Sequence, residues 1–219
     1  MRQSFLEIDR QLEGKEGREV LAKMKRSNPP NKAPLFKLLG EITTGNTGTG
    51  EENDEGKLML DSIGGTANVI FFENMKRLYI ANAGDSRCVL ARAGKAVPLS
   101  FDHKPDNPEE KRRIENAGST IQEGRVDGNL NLSRSLGDLK YKINKELKPE
   151  EHPVTANPDL KVEELTGDED FIVMGCDGIW ETKSNEEMVE FIYKRINEGK
   201  DAKKIIDELL NDIISPDYT

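Results

Sequence analysis

The stretch Phe171-Ile172-Val173-Met174-Gly175-Cys176-Asp177-Gly178 decides how the rest of this sequence is interpreted. Its first five residues form an apolar run typical of a buried strand, and the run leads directly to an aspartate and a glycine. A second apolar run, 78–83, leads in the same way to Gly84 and Asp85. Two buried strands that each end in an aspartate indicate a site for a hard metal ion, because Mg²⁺ and Mn²⁺ prefer carboxylate oxygens.

Asp177 is the main candidate ligand, although an aspartate that caps the turn at an Asp-Gly pair is an equally common feature of strand ends. Its pairing with Asp85 favours the metal interpretation. Glu181 lies four residues after Asp177, so a helical turn there would direct both carboxylates to the same side. The alternative for Glu181 is a solvated glutamate.

Two further side chains each have a functional and a structural interpretation. Arg134 lies among small hydroxyl residues and could bind a phosphate through two parallel hydrogen bonds. We favour instead an ion pair with Asp138, four residues later. His103 could take part in acid–base chemistry, because its charge changes near neutral pH. A turn histidine oriented by Asp102 is the favoured interpretation.

Composition and motifs argue against several classes of protein. The net charge of −9 and the lack of clustered Lys and Arg with interleaved aromatics argue against nucleic-acid binding. No apolar segment approaches the roughly 20 residues needed to span a bilayer, so no membrane association is expected. Neither Cys88 nor Cys176 is followed six residues later by arginine, which excludes a Cys-x5-Arg phosphatase loop, and no P-loop motif occurs. The two cysteines are predicted to be buried free thiols of a reducing compartment, the cytoplasm and/or the nucleus.

The strand pattern is concentrated in the middle of the chain. β-Branched and apolar runs over 67–72, 77–83 and 87–92 are joined by short polar connections, which predicts an antiparallel β-meander. Residues 40–57 are rich in Gly, Thr and acidic side chains and are predicted to form a flexible loop. Residues 119–142 are polar and contain few apolar side chains, so they are expected to fold over a surface rather than to form a core.

The helix signals flank this block of strands. Pro108 stands at a first helical position, followed by acidic residues, and Gly118 closes that helix. Ser184 and Glu187 match a capping box, and Asp201 begins a last helix with a broad apolar face. Because strands and helices do not alternate regularly, the sequence predicts an α+β fold, with antiparallel sheet covered by helices.

Seven segments, in the same order along the chain, resemble the metal-dependent type 2C protein serine/threonine phosphatases. They are Gly65-Thr66-Ala67, Ala83-Gly84-Asp85-Ser86-Arg87, Asp102-His103-Lys104-Pro105, 112–118, Ser133-Arg134-Ser135-Leu136-Gly137-Asp138, Pro158-Asp159 and Cys176-Asp177-Gly178-Ile179-Trp180. The resemblance covers residues 1–219 as one partial domain, with 40–57 as an insertion. It implies a four-layer αββα sandwich of antiparallel sheets that is incomplete in this chain.

The resemblance also implies hydrolysis of phosphoserine and phosphothreonine by a water that Mg²⁺ or Mn²⁺ activates between the sheets. Asp177 is then the ligand shared by two metal ions, and Asp85 the ligand of an additional, weaker metal site. Glu181 stands where the family usually has aspartate. Residues 119–142 correspond to the family's flap, which contacts the phosphoprotein substrate.

The sequence also departs from the family pattern. The Asp-Gly-His-Gly-Gly motif, which carries the family's general-acid histidine, is missing, as are the early phosphate-binding arginine and a late Asp-Asn segment. The only histidines are His103 and His152, in unrelated contexts, so no catalytic residue is assigned. We expect a protein that is monomeric when full length, whereas this chain alone is inactive or weakly active. The alternative is a pseudophosphatase or truncated product that acts as a protein-binding module through the flap.

Overall fold

The computed structural model describes residues 1–20 and 61–214 of the chain. Its strands, in chain order, are β1 (Gly64–Gly65), β2 (Ala67–Glu73), β3 (Arg77–Ala83), β4 (Arg87–Arg92), β5 (Lys95–Pro98), β6 (Ile121–Gln122), β7 (Arg125–Val126), β8 (Leu136–Gly137), β9 (Asp159–Glu164) and β10 (Glu169–Gly175). Its helices are α1 (Arg2–Glu13), α2 (Pro108–Asn116), α3 (Asp177–Trp180), α4 (Asn185–Asn197) and α5 (Ala202–Ile213), and the chain is also helical over 15–20.

Two three-stranded antiparallel sheets form the centre of the fold, one in the order β2-β3-β9 and the other in the order β10-β4-β5. Their facing surfaces share a core formed by Leu78, Ile80, Cys88, Leu90 and Leu99, all of them buried. Burial of these side chains is the main contribution to the stability of the sandwich. The prediction of an α+β fold with antiparallel sheets is therefore confirmed.

Helices pack on the outer faces of both sheets, although Val69, Phe71, Leu160 and Val162 on the outer face of β2 and β9 remain exposed among the described residues. On one side, Phe5 of α1 packs against Ala81 and Ala83 of β3. On the other, α4 and α5 bury Met188 and Leu209 in a cluster that includes strand β4. The described residues thus form the four layers helix, sheet, sheet and helix.

The predicted β-meander is wrong at its second connection. Strands β2 and β3 pair as expected, but β3 also pairs with β9, whereas β4 pairs with β5 and β10. The three residues between β3 and β4 therefore carry the chain from one sheet to the other. Gly84 permits this crossing because its φ is +124°, and a Cβ there would lie 2.4 Å from Cγ2 of Thr66.

The predicted helix starts agree with the structure. Pro108 begins α2, Ser184 and Glu187 form the capping box of α4, and Asp201 caps α5. The broad apolar face predicted for α5 is only half covered, since Leu209 is buried while Leu210 is exposed.

The segment 119–142 differs from its prediction. Val126 and Tyr141 are buried with Ile114 and Val154, so this segment contributes to a small core of its own. Four apolar side chains are enough because β6 and β7 form a compact hairpin against α2. The predicted acidic loop, 40–57, lies outside the described residues.

Candidate functional site

The two predicted aspartates lie at the same end of the sandwich. In the β4–β10 pair, Gly175 lies opposite Arg87. Asp85 stands two residues before Arg87, and Asp177 stands two residues after Gly175. Antiparallel pairing therefore brings both carboxylates to one end of this sheet. We call it the site end, formed by 83–87 and 175–181.

Asp85 already has a cationic partner. Its side chain is buried, with 4% of the residue exposed, and Oδ2 lies 2.5 Å from the Nζ atom of Lys104. A buried carboxylate needs such a partner because desolvation of an isolated charge is costly. Whether Asp85 also binds a metal ion stays a prediction.

Asp177 begins the short helix α3. Its Oδ1 atom accepts a hydrogen bond of 2.9 Å from the Gly178 N–H, and its carbonyl oxygen accepts one of 2.9 Å from the Glu181 N–H. The chain therefore makes the helical turn on which the pairing of Asp177 with Glu181 depends. Whether the two carboxylates share a metal ion stays a prediction.

A third carboxylate near the site end, that of Asp102, was not identified as a site residue from the sequence. Arg87 donates two hydrogen bonds of 2.9 Å to Oδ1 and Oδ2 of Asp102, and a third to Oδ1 of Asn185. The same guanidinium lies 5.3 Å from the ring centroid of Trp180. Arg87 thus connects Asp102 to the segment that follows Asp177. The available signal was its position just after the β5 run, the same placement that identified Asp85 and Asp177.

His103 is buried and contacts the turn between β3 and β4. Its Nδ1 atom accepts a hydrogen bond of 3.1 Å from the Gly84 N–H, and Nε2 lies 3.1 Å from Oδ2 of Asp159. The prediction that Asp102 orients this ring is wrong, because Asp102 pairs with Arg87. The close contact with His103, together with the charge of Arg134, lowers the pKa of Asp159 well below its usual range despite partial burial.

Arg134 lies inside the protein and its guanidinium contacts two carboxylates. Its Nη2 atom lies 2.6 Å from Oε1 of Glu110, and Nη1 lies 2.6 Å from Oδ1 of Asp159. The favoured pairing with Asp138 is wrong. A phosphate-binding role has no support here, because protein oxygens already accept the hydrogen bonds of Nε, Nη1 and Nη2.

Glu110 is the most buried acid of this group. Burial alone would raise its pKa, but hydrogen bonds and charges from Arg134 and Arg113 outweigh that effect and lower the pKa to about 2. We call Glu110, Arg134, Asp159 and His103 the buried ion network.

The donor chemistry of the site end suits Mg²⁺ or Mn²⁺, since its acidic side chains offer only oxygen ligands. The number of donors does not complete a site. Within residues 1–20 and 61–214, no group of three or more His, Cys, Asp and Glu side chains is arranged to hold a metal ion.

The buried Cys88 does not offer an alternative nucleophile. Both are free thiols; Cys88 is buried as predicted, whereas Cys176 is exposed, contrary to prediction. Burial raises the pKa of Cys88 to about 12, which leaves it protonated near neutral pH.

The helix–sheet–sheet–helix layers and the two aspartates at one end of a sheet agree with the type 2C phosphatases that the sequence resembles. The family model described as Protein phosphatase 2C matches residues 15–219, and the chain belongs to this family. Human "Protein phosphatase 1G" is 46% identical over 170 residues, which cover 74% of this chain and 31% of that protein. "Probable protein phosphatase 2C 5" of Paramecium tetraurelia is 45% identical over 165 residues, which cover 75% of this chain and 54% of that protein.

The fold has similar solved structures. A phosphatase from Toxoplasma gondii matches with a TM-score of 0.59 and 25% identity, over 69% of this chain and 58% of that one. This agreement confirms the mixed helical and antiparallel architecture. The chain spans 31% to 54% of the length of the two curated relatives named above.

Proposed function

We propose that the protein hydrolyses phosphoserine and phosphothreonine in phosphoproteins, with Mg²⁺ or Mn²⁺ bound in part by Asp177. The observation that carries this proposal is the β4–β10 register, which brings Asp177 and Asp85 to one end of the sheet. A bound metal ion polarises the phosphate and lowers the pKa of a water molecule. The chain's own residues contribute the carboxylates and their fixed positions, and the flap segment, 119–142, contacts the substrate.

The finer features of the proposal follow from composition and family. We place the protein in signalling, in the cytoplasm and/or the nucleus, as a monomer when full length, without nucleic-acid or membrane partners. The net charge of −9 and the two free thiols support this placement. Across the described ranges, each helix is too short or too polar to cross a bilayer.

A second candidate function is a protein-binding module without catalysis. It is favoured by the ion pair between Asp85 and Lys104 and by the incomplete donor set among the described residues. In this alternative the flap segment binds a partner protein but no phosphate is released.

The test is hydrolysis of a phosphothreonine peptide by residues 1–219 with Mn²⁺, beside calorimetric titration with Mn²⁺ alone. We expect weak hydrolysis, reduced at least about 100-fold by Asp177→Asn, since loss of groups that merely support metal ligands already costs 10–100-fold. Asp168→Asn is the matched control, because Asp168 is an exposed aspartate in the loop between β9 and β10.

Each result assigns a function. Hydrolysis that Asp177→Asn leaves unchanged contradicts the role of Asp177. Binding of Mn²⁺ without hydrolysis favours the protein-binding module over catalysis by this chain, and a chain that does not bind Mn²⁺ overturns the metal site.

A further inference from the structure

The buried ion network forms a continuous path across the molecule. It begins in the flap segment, 119–142, where Arg134 contacts Glu110 of α2. It continues through Asp159, whose Oδ1 atom accepts a hydrogen bond of 2.6 Å from Arg134 and whose Oδ2 atom lies 3.1 Å from His103. It ends where the Gly84 N–H donates to Nδ1 of His103.

The interior of this path is shielded from water. Glu110, Arg134 and His103 are all buried, and only Asp159 is widely accessible, with 61% of its side chain exposed. Hydrogen bonds in such surroundings are stronger than in water, and a broken one leaves a costly group without a partner. A displacement of Arg134 or Glu110 is therefore resisted by the buried contacts between them, and Asp159 joins Arg134 to His103 at the one exposed point of the path.

The Gly84-Asp85 turn, where the path ends, has little conformational freedom. Thr66 leaves no room for a Cβ at Gly84. The Gly84 carbonyl accepts a hydrogen bond of 3.1 Å from Nδ2 of the buried Asn82. Because His103 binds the N–H of the same glycine, the ring and the backbone that carries Asp85 must move together.

We propose that the buried ion network couples the flap segment to the Gly84-Asp85 turn, and that Asp159 is the positioning residue at its centre. The effect on metal binding rests on the proposed function, whereas the mechanical coupling does not. Asp159 touches neither substrate nor metal in this proposal. It acts through Arg134 on one side and through His103 on the other.

The test is amide hydrogen exchange on residues 1–219, with Mn²⁺ calorimetry on the same samples. Asp159→Asn keeps an oxygen for Arg134 but removes the negative charge that lies beside Nε2 of His103, and the exposed position of Asp159 favours correct folding. We expect exchange about 3- to 10-fold faster both at the Gly84–Ser86 amides and in the β6–β7 hairpin, with Mn²⁺ affinity reduced by a similar factor. Asp168→Asn should leave the exchange at both sites and the Mn²⁺ affinity unchanged.

Two further variants check the direction of the effect. Asp159→Glu, which restores a carboxylate, should recover part of the slow exchange on both sides. His103→Asn retains an acceptor for the Gly84 N–H but is too short to reach Asp159, so it should reproduce the effect of Asp159→Asn.

The outcomes separate this inference from the proposed function. Faster exchange on only one side of Asp159, or no difference from Asp168→Asn, overturns the coupling. A wild-type chain that binds no Mn²⁺ overturns the metal site, while the exchange data still decide the coupling.

Discussion

The two ends of the sandwich differ in how far their polar side chains are exposed to solvent. At the site end, Asn82, Asp85 and nearby His103 are buried, each with less than 5% of its surface exposed. At the opposite end, which we call the far end (73–77, 92–95 and 164–169), Arg77 pairs with Glu164 while 48% and 66% of their side chains remain exposed. The ion pair of Arg77 is therefore solvated, whereas Arg92, also at the far end, pairs with Glu163 and Glu169 while only 14–22% of these three side chains is exposed.

The far end also exposes apolar surface. A cleft of about 420 Å³ lies there, lined in part by Phe72, Met75, Leu165 and Ile172. Met75 is 73% exposed in the turn between β2 and β3. Such a surface tolerates change, because water can replace a lost polar partner.

A substitution should lower the free energy of unfolding most where it removes the partner of a buried polar group. A buried polar group is tolerated only when it is hydrogen-bonded, so removal of one partner at the site end leaves another desolvated and unpaired. At the exposed ion pairs of Arg77 the remaining group is simply hydrated. The size of the loss should therefore depend on the end of the sandwich more than on the number of contacts removed.

The largest effect is expected for Glu110→Ala. This substitution removes the carboxylate shared by the buried Arg134 and the partly buried Arg113 and leaves Arg134 only the exposed Asp159, and removal of one partner from a buried pair costs about 3–5 kcal/mol. The free energy of unfolding in urea measures the loss. Glu109→Ala, on the exposed side of the same helix, should change it by no more than about 0.5 kcal/mol. Equal losses for the two variants would remove the distinction between buried and exposed sites.

An intermediate effect is expected on lowering the pH. The pKa of Glu110 is about 2 in the folded protein, below its ordinary value of 4.5, so its ionised form stabilises the fold. This contribution is fully present above pH 4.5 and disappears as the pH falls through 2. It amounts to on the order of 2–3 kcal/mol.

Urea unfolding at pH 6 and at pH 2.5 measures this contribution. Between these two pH values, the wild type should lose more stability than Glu110→Gln, which has no carboxyl group to protonate at this position. The other acids titrate in both proteins, so the difference isolates Glu110. Equal losses would show that its carboxylate is not stabilised by the fold.

The features that local patterns specify could be predicted from the sequence. Asp85 and Asp177 were identified because each directly follows an apolar run, and Ser184 because a capping box spans only four residues. The sequence did not reveal that β3 and β4 belong to different sheets. A three-residue connection can join two neighbouring strands of one sheet or two strands of different sheets. Local periodicity does not distinguish these arrangements.

The buried ion network was missed for a related reason. The partners of Arg134 are Glu110 and Asp159, which lie 24 and 25 residues away along the chain. The nearest acid along a helical turn, Asp138, was preferred, but the chain is not helical between the two residues. Which residues meet over such separations is determined by the fold, and the local sequence pattern around Arg134 does not indicate it.

The smallest effect is expected for Arg77→Ala at the far end. Arg77 forms ion pairs with Glu164 and Glu73 at 2.7 and 3.5 Å, but all three side chains are substantially exposed. Exposed pairs contribute about 0–1 kcal/mol, because water and side-chain entropy offset the attraction. The loss in the free energy of unfolding should therefore stay below about 1 kcal/mol and shrink further in 1 M salt, where the Debye length is only about 3 Å. Lys76→Ala, one residue earlier in the same turn, controls for the change in net charge. A loss from Arg77→Ala as large as that from Glu110→Ala would mean that the number of ion pairs, and not their burial, determines the stability of each end.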